Sequence, residues 1–139
     1  MSTFEQAALA HHGKLAQIDE IRSNQIEPAL REFFRLKAIL HKCAVDTKDV
    51  HLSEFLDTAL KSLEAECGKM NDALKALEDA EMAIRPATLE EMEARLKHAD
   101  ELAELTTQRM KLHFEFIRGQ AARLKAKLEE LNASDADHD

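Results

Sequence analysis

The stretch Ile84-Arg85-Pro86-Ala87-Thr88 separates two long helical patterns. Before it, Leu63, Cys67, Met70, Leu74, Leu77, Glu81 and Ile84 recur in alternating steps of four and three. After it, Leu89, Met92, Leu96, Ala99, Ala103, Thr106, Met110, His113, Ile117, Gln120, Leu124, Lys127 and Leu131 do the same. Steps averaging 3.5 residues place one seam of side chains along a helix, the geometry of helices packed at shallow angles. Pro86 turns Arg85 away from helical geometry. Thr88, with Glu91 three residues on and Glu90 between them, reads as the N-cap of the next helix.

A third pattern lies upstream. Leu15, Ile18, Gln25, Ala29, Phe33, Leu36, Leu40 and Cys43 keep helical spacing, with one wide step at Ile21 or Arg22. Pro28 interrupts it, because a proline offers no N–H to the carbonyl of Asn24. Two readings compete: Asn24 with Glu27 caps a new helix, or one helix continues through a kink. The apolar phase is the same on both sides of Pro28, which favours the kink. Val45 to Ser53 holds both valines and two candidate N-caps, Thr47 and Ser53, and reads as the first turn. Ser2 with Glu5 fits a capping box at the start.

The spacing therefore predicts helices at about 3–44 (kinked near Pro28), 50–84 and 88–132, in one domain over residues 1–132. The polar stretch 133–139 has nothing to bury and reads as a disordered acidic tail. Three Gly, two Pro and two Val stand against 22 Ala and 19 Leu, so neither β-formers nor frequent turns are present. The expected fold is all-α: an elongated, coiled-coil-like antiparallel three-helix bundle running up, down and up, with a rod length of roughly 60 Å.

Folding the chain back near residues 48 and 86 leaves the first turns of helix one overhanging at one end and Gln120 to Leu131 at the other. Phe4, Leu124, Leu128 and Leu131 then lack a full set of intrachain partners and are the expected self-association or partner surface. The same folding sets His113 opposite Ala59, near Phe33 and Leu36, as a polar seam residue that fixes helix register. Phe33, Phe34, Phe55, Phe114 and Phe116 fall near one level, with Phe34 or Phe116 facing out.

Charge is segregated. Glu64 to Glu104 carries twelve acidic and five basic residues, whereas Leu105 to Lys127 carries six basic and one acidic. Leu30 to Lys48 adds five basic against two acidic. The fold-back gathers Arg35, Lys42, Lys111, Arg118 and Arg123 into a basic docking end near the first turn. The net charge of −8 argues against nucleic acid and anionic membrane as partners.

Chemistry-bearing motifs are missing from the sequence. None of His41, His51, His98 and His113 has a carboxylate three residues before it, so the Glu-x-x-His pattern of helical metal sites is not met. Cys43 and Cys67 fall too far apart along the rod for a disulfide and read as small apolar fillers. Without Trp or Tyr, the usual anchors of small-molecule sites are lacking. No cofactor, metal or small-molecule substrate is expected, and the N-terminus has no secretory pattern, so the expected compartment is cytoplasmic. The expected function is a non-enzymatic protein–protein interaction module that self-associates as a homodimer or binds a helical partner. The alternative is a cytosolic chaperone or neutralising protein, immunity- or antitoxin-like, that masks one secreted or toxic partner.

Overall fold

The structure is a computed structural model that describes the backbone of residues 2–138 and the side chains of residues 2–134. It is 93% helical, with no strand among the described residues. The elements are α1 (Thr3–Ile21), a π-helical turn (Arg22–Ile26), α2 (Glu27–Thr47), α3 (Val50–Met82) and α4 (Leu89–His138). Side-chain partners fix the topology: Lys14 of α1 reaches Asp100 and Glu104 and Asn24 of the π turn lies by Lys111, while along α3 Glu66 reaches Arg109 and Phe55 lies under Arg123. So α1 runs parallel to α4, α3 runs antiparallel to it, and the bundle goes up, down and up.

Pro28 does not break the first helix. The π turn ahead of it bonds the Glu27 N–H to the Arg22 carbonyl, one residue further back than in an α-helix, and helix continues on both sides. Asn24 and Glu27 form no cap. A π turn inserts one extra residue into the helical phase, and the core seam shifts accordingly: Ile18 is followed inward by Ile26, and Gln25, expected on the seam, is exposed.

Capping follows the sequence at two of three starts. The Glu5 N–H donates to Ser2 Oγ at 3.1 Å and the Glu91 N–H to Thr88 Oγ1 at 3.2 Å. For α3 the cap is Asp49, whose Oδ1 accepts from the Leu52 N–H at 3.0 Å. Neither Thr47 nor Ser53 serves there; the Thr47 hydroxyl donates back to the Cys43 carbonyl. Lys48 takes the left-handed conformation (φ 54°), which lets the Asp49 N–H close on the Ala44 carbonyl and ends α2. At the far end α4 carries past Asn132 through Ala133 and Ser134, its bounds reaching His138. The side chains of 135–138 and all of Asp139, most of the expected tail, lie outside the described residues.

The second fold-back is displaced from its expected level. Ala83 to Thr88 carry the chain past the end of α3 before α4 begins, so Leu96, not Leu89, comes level with Glu81 and Ile84. His113 therefore meets Glu66 on α3, seven residues or two turns beyond Ala59. The predicted overhang of Gln120 to Leu131 disappears with the same shift. Leu124 is fully buried, Leu128 and Leu131 are half-buried against the core, and Arg123 and Lys127 lie over the Phe55 ring. The end that α3 leaves uncovered is the other one, where Phe4 and the first turns of α1 meet the start of α4.

Two substitutions check this packing. Leu124→Ala should cost about 2–5 kcal/mol of unfolding free energy at concentrations where the chain is monomeric, as for any large-to-small change in a closed core. A change near zero would return Leu124 to an overhang. Lys48→Gly should stabilise by about 0.5–1 kcal/mol in chemical denaturation, because glycine enters the left-handed region without a Cβ clash.

Candidate interaction site

Helix α4 is the spine of the bundle, in contact with α1, the π turn, α2 and α3. Helix α2 also packs on α3, but no Cα of α1 comes within 8 Å of any Cα of α3. A shallow groove follows the line where α1 faces α3 and continues past the π turn between α2 and α3. Its lower part, about 310 Å³, is lined by Ile26 and Leu30 on one side and Cys67 and Met70 on the other, with Met110 and His113 of α4 also lining it. A middle part of about 280 Å³ lies between Leu15, Ile18 and Arg22 and Leu74, Leu77 and Glu78. The upper part, about 270 Å³, lies between Phe4, His11 and Leu15 and Glu81 and Ile84. Leu15 and Glu81 belong to both upper parts, and Arg22 and Leu74 to both lower ones, so the three hollows follow one another along the bundle. From Phe4 to Leu30 it spans about 40 Å at the helical rise.

Apolar walls and acidic rims define the groove's chemistry. Ile18, Ile26, Met70 and Leu77 are nearly closed off, while Leu15, Leu30, Leu74 and Ile84 remain half-exposed. The charged lining residues are Asp19, Glu27, Glu78 and Glu81 against Arg22 alone. A second apolar hollow of about 380 Å³ lies round the corner between Phe4, Ala7 and Leu96 at the uncovered end.

Two polar clusters sit beside the groove. At the lower part, the buried Glu66 carboxylate accepts from Arg109 Nη2 and lies 3.4 Å from His113 Nδ1. Since a carboxylate only accepts, the neutral His113 ring carries its proton on Nδ1. Burial pushes the His113 ring well towards its neutral form; Glu66 pulls the other way and Arg109 adds to burial, leaving its pKa below the ordinary imidazole value. The seam position expected for His113 thus holds, with Glu66 as the partner that ties α3 to α4. At the upper part, buried His11 places Nδ1 3.2 Å from Asp100 Oδ1 and Nε2 3.6 Å from Glu81 Oε1, between α4 and α3. A neutral ring donates to only one of them, and Nε2 has no hydrogen-bond partner. Burial raises the Asp100 carboxyl, but hydrogen bonds from Lys14, at 2.6 Å, and from His11 outweigh it and hold the group below the usual range.

The expected basic docking end is only partly assembled. Arg35 pairs with Glu32 on its own helix, and Arg118 with Glu115 while lying over Phe114. Arg123 covers Phe55. Lys42 is exposed, but Lys111 lies beside Ile21 and Asn24 at the π turn, midway along the rod and away from that end. Of the phenylalanines, Phe33 is fully buried and stacks edge-on with Phe34, which is 47% exposed. Cys43 and Cys67 are both free thiols, half-buried against the core. Burial, and then Glu66 and Glu64, push the Cys67 thiol up, the wrong direction for a nucleophile. No group of three metal-ligating side chains gathers among the described residues, and no helix is long and apolar enough to cross a membrane.

The groove itself was not foreseen. Leu15, Cys67 and Leu74 read as seam residues and Leu30 as a neighbour of the seam, yet all four stay half-exposed along it.

His113 makes the stability of this region pH-dependent. A buried imidazole with a lowered pKa favours the neutral form in the folded state, so its stability contribution is complete above the unfolded value of about 6.5 and is lost as pH falls through it. His113→Leu should flatten the fall in melting temperature between pH 8 and pH 5 while Arg109 keeps Glu66 paired. Equal slopes for variant and parent would remove His113 from that role.

No protein-family model, curated protein or solved structure matches this chain.

Proposed function

We propose that this chain is a non-enzymatic helix-receiving module, in which an amphipathic helix lies in the groove between α1 and α3 as the fourth member of the bundle. The separation of α1 from α3 carries this reading. Leu15, Leu74 and Ile84 stay half-exposed along the line where α1 faces α3, and an amphipathic helix with anchors at successive turns is the occupant that such an apolar line fits. The polar groups at the groove serve alignment: Glu66, Arg109 and His113 hold α3 in register with α4, and His11 faces both at the upper end. None stands as a nucleophile with a base beside it, and the groove is lined mainly by side chains with no catalytic chemistry.

A photo-reactive residue in place of Leu74, on the groove, tests this in cells that make the protein, with the exposed Lys61 position on the outer face of α3 as control. Cross-links from position 74 should map to one amphipathic helical segment and should vanish with Leu15→Asp. Position 61 should give none of them. Absence of any cross-link at position 74, or the same products at both positions, would overturn the reading.

A further inference from the structure

Helix α4 carries a second seam on the side away from the bundle. His98, Glu101, Leu105 and Leu112 follow one another at spacings that keep one face of a helix, and Gly119, Arg123 and Ala126 continue them. All seven are exposed, Leu105 and Leu112 at 60% and 63%. Glu104, bonded to Lys14 of α1, and Arg109, bonded to Glu66 of α3, border this seam on its two sides, so it faces away from both helices.

The seam is its own complement. Turned end for end about Leu112, it sets Leu105 opposite Gly119, seven residues to either side, and Glu101 opposite Arg123, eleven to either side. His98 comes opposite Ala126, fourteen to either side. Each large or charged side chain then meets a small one or an opposite charge, and Leu112 meets itself. A parallel pairing would set Glu101 against Glu101 and Arg123 against Arg123, which opposes it.

Gly119 supplies an independent observation. Glycine is a poor helix former, yet this one stands inside a helix of 50 residues. A Cβ built there would meet nothing within 4 Å, so no neighbour in its own chain requires the glycine. Leu105 of an antiparallel copy does, because glycine lets another surface come close to the helix backbone. We infer that the chain forms a two-fold dimer in which the outer faces of two α4 helices pack antiparallel, centred on Leu112. The inference goes beyond the helix-receiving reading and does not depend on it. From α4 the groove is lined by the buried Met110 and His113, on the opposite side of that helix, and it stays free in both copies.

Cysteine cross-linking and charge exchange test the axis and the register in the full chain. With Cys43 and Cys67 replaced by alanine, Leu112→Cys should give a disulfide-linked dimer under mild oxidation, because position 112 faces its own copy. Leu105→Cys alone should not, since two such positions lie about 21 Å apart along the paired helices, but mixed with Gly119→Cys it should. In sedimentation equilibrium the parent should approach twice its 15.7 kDa monomer mass at about 100 µM. Glu101→Arg or Arg123→Glu alone should weaken the dimer at least about tenfold, because two-fold symmetry sets like charges together twice. An equimolar mixture of these two variants should recover the parental association, since both unlike pairs return. Circular dichroism checks that each variant stays folded, and a cysteine variant that loses helix leaves the decision to the charge exchange. A monomeric parent at that concentration, self-linking at position 105 as fast as at 112, or a mixture no stronger than either variant would overturn the inference. Cross-links from position 74 decide the helix-receiving reading separately.

Discussion

One missing N–H sets the shape of the molecule. Pro28 cannot bond the Asn24 carbonyl, and a straight α-helix there would also push its ring into that turn, at a cost of about 3 kcal/mol. The π turn at Arg22–Ile26 spreads the defect over five residues and keeps the helix running. Its consequence is rotational. One inserted residue turns everything upstream by roughly 100° relative to α2, at 3.6 residues per turn. Helix α2 packs closely on both α3 and α4, whereas α1 packs closely on α4 and meets α3 only through side chains such as His11 and Glu81. The groove is the space that this rotation leaves.

A bundle whose first helix leans on one neighbour needs that neighbour held firmly, and the buried polar groups do this. Glu66 and Arg109 make a charged pair that an apolar pair of similar volume could replace without loss of stability. Such a pair rewards one alignment only. A slip of α3 along α4 by one turn would strand a buried carboxylate beside a neutral imidazole, at a cost of several kcal/mol. His11 does the same at the upper end, where Asp100 of α4 and Glu81 of α3 converge on one ring and Lys14 secures Asp100. Alignment matters here because the groove is defined by the relative heights of three helices.

The all-α class, the three helices, the capping at Ser2 and Thr88 and the inward position of His113 were legible in the sequence. Each follows from local spacing or from a residue that bonds its own neighbours. What could not be read was relative height. The apolar steps of three and four around Pro86 are the same whichever turn of α4 meets a given turn of α3. The link from Ala83 to Thr88 shifted the match by two turns through a detour that leaves no periodic trace. Leu124 was therefore assigned to an overhang although it is core. Ile26 was hidden for a related reason, since a π turn changes the phase by one residue, whereas Pro28 read as a cap or, by the apolar phase, as a kink. The groove depends on both of these long-range facts, and most of its residues read as ordinary seam positions.

Energetics favour a reversible occupant. Full burial of a leucine or isoleucine contributes roughly 1.5–3 kcal/mol, and Leu15, Leu30, Leu74 and Ile84 are already half-buried. A docking helix would gain about 1 kcal/mol from each of them, or about 4 kcal/mol in all, to which its own apolar face adds a similar amount. Association costs of at least about 4 kcal/mol offset much of that sum, which places the apolar part alone in a weak, millimolar-to-micromolar range. The acidic rim then decides. Unlike charges across a partly desolvated trough raise the association rate and discriminate against wrong partners more than they add affinity, and they do so only at modest ionic strength.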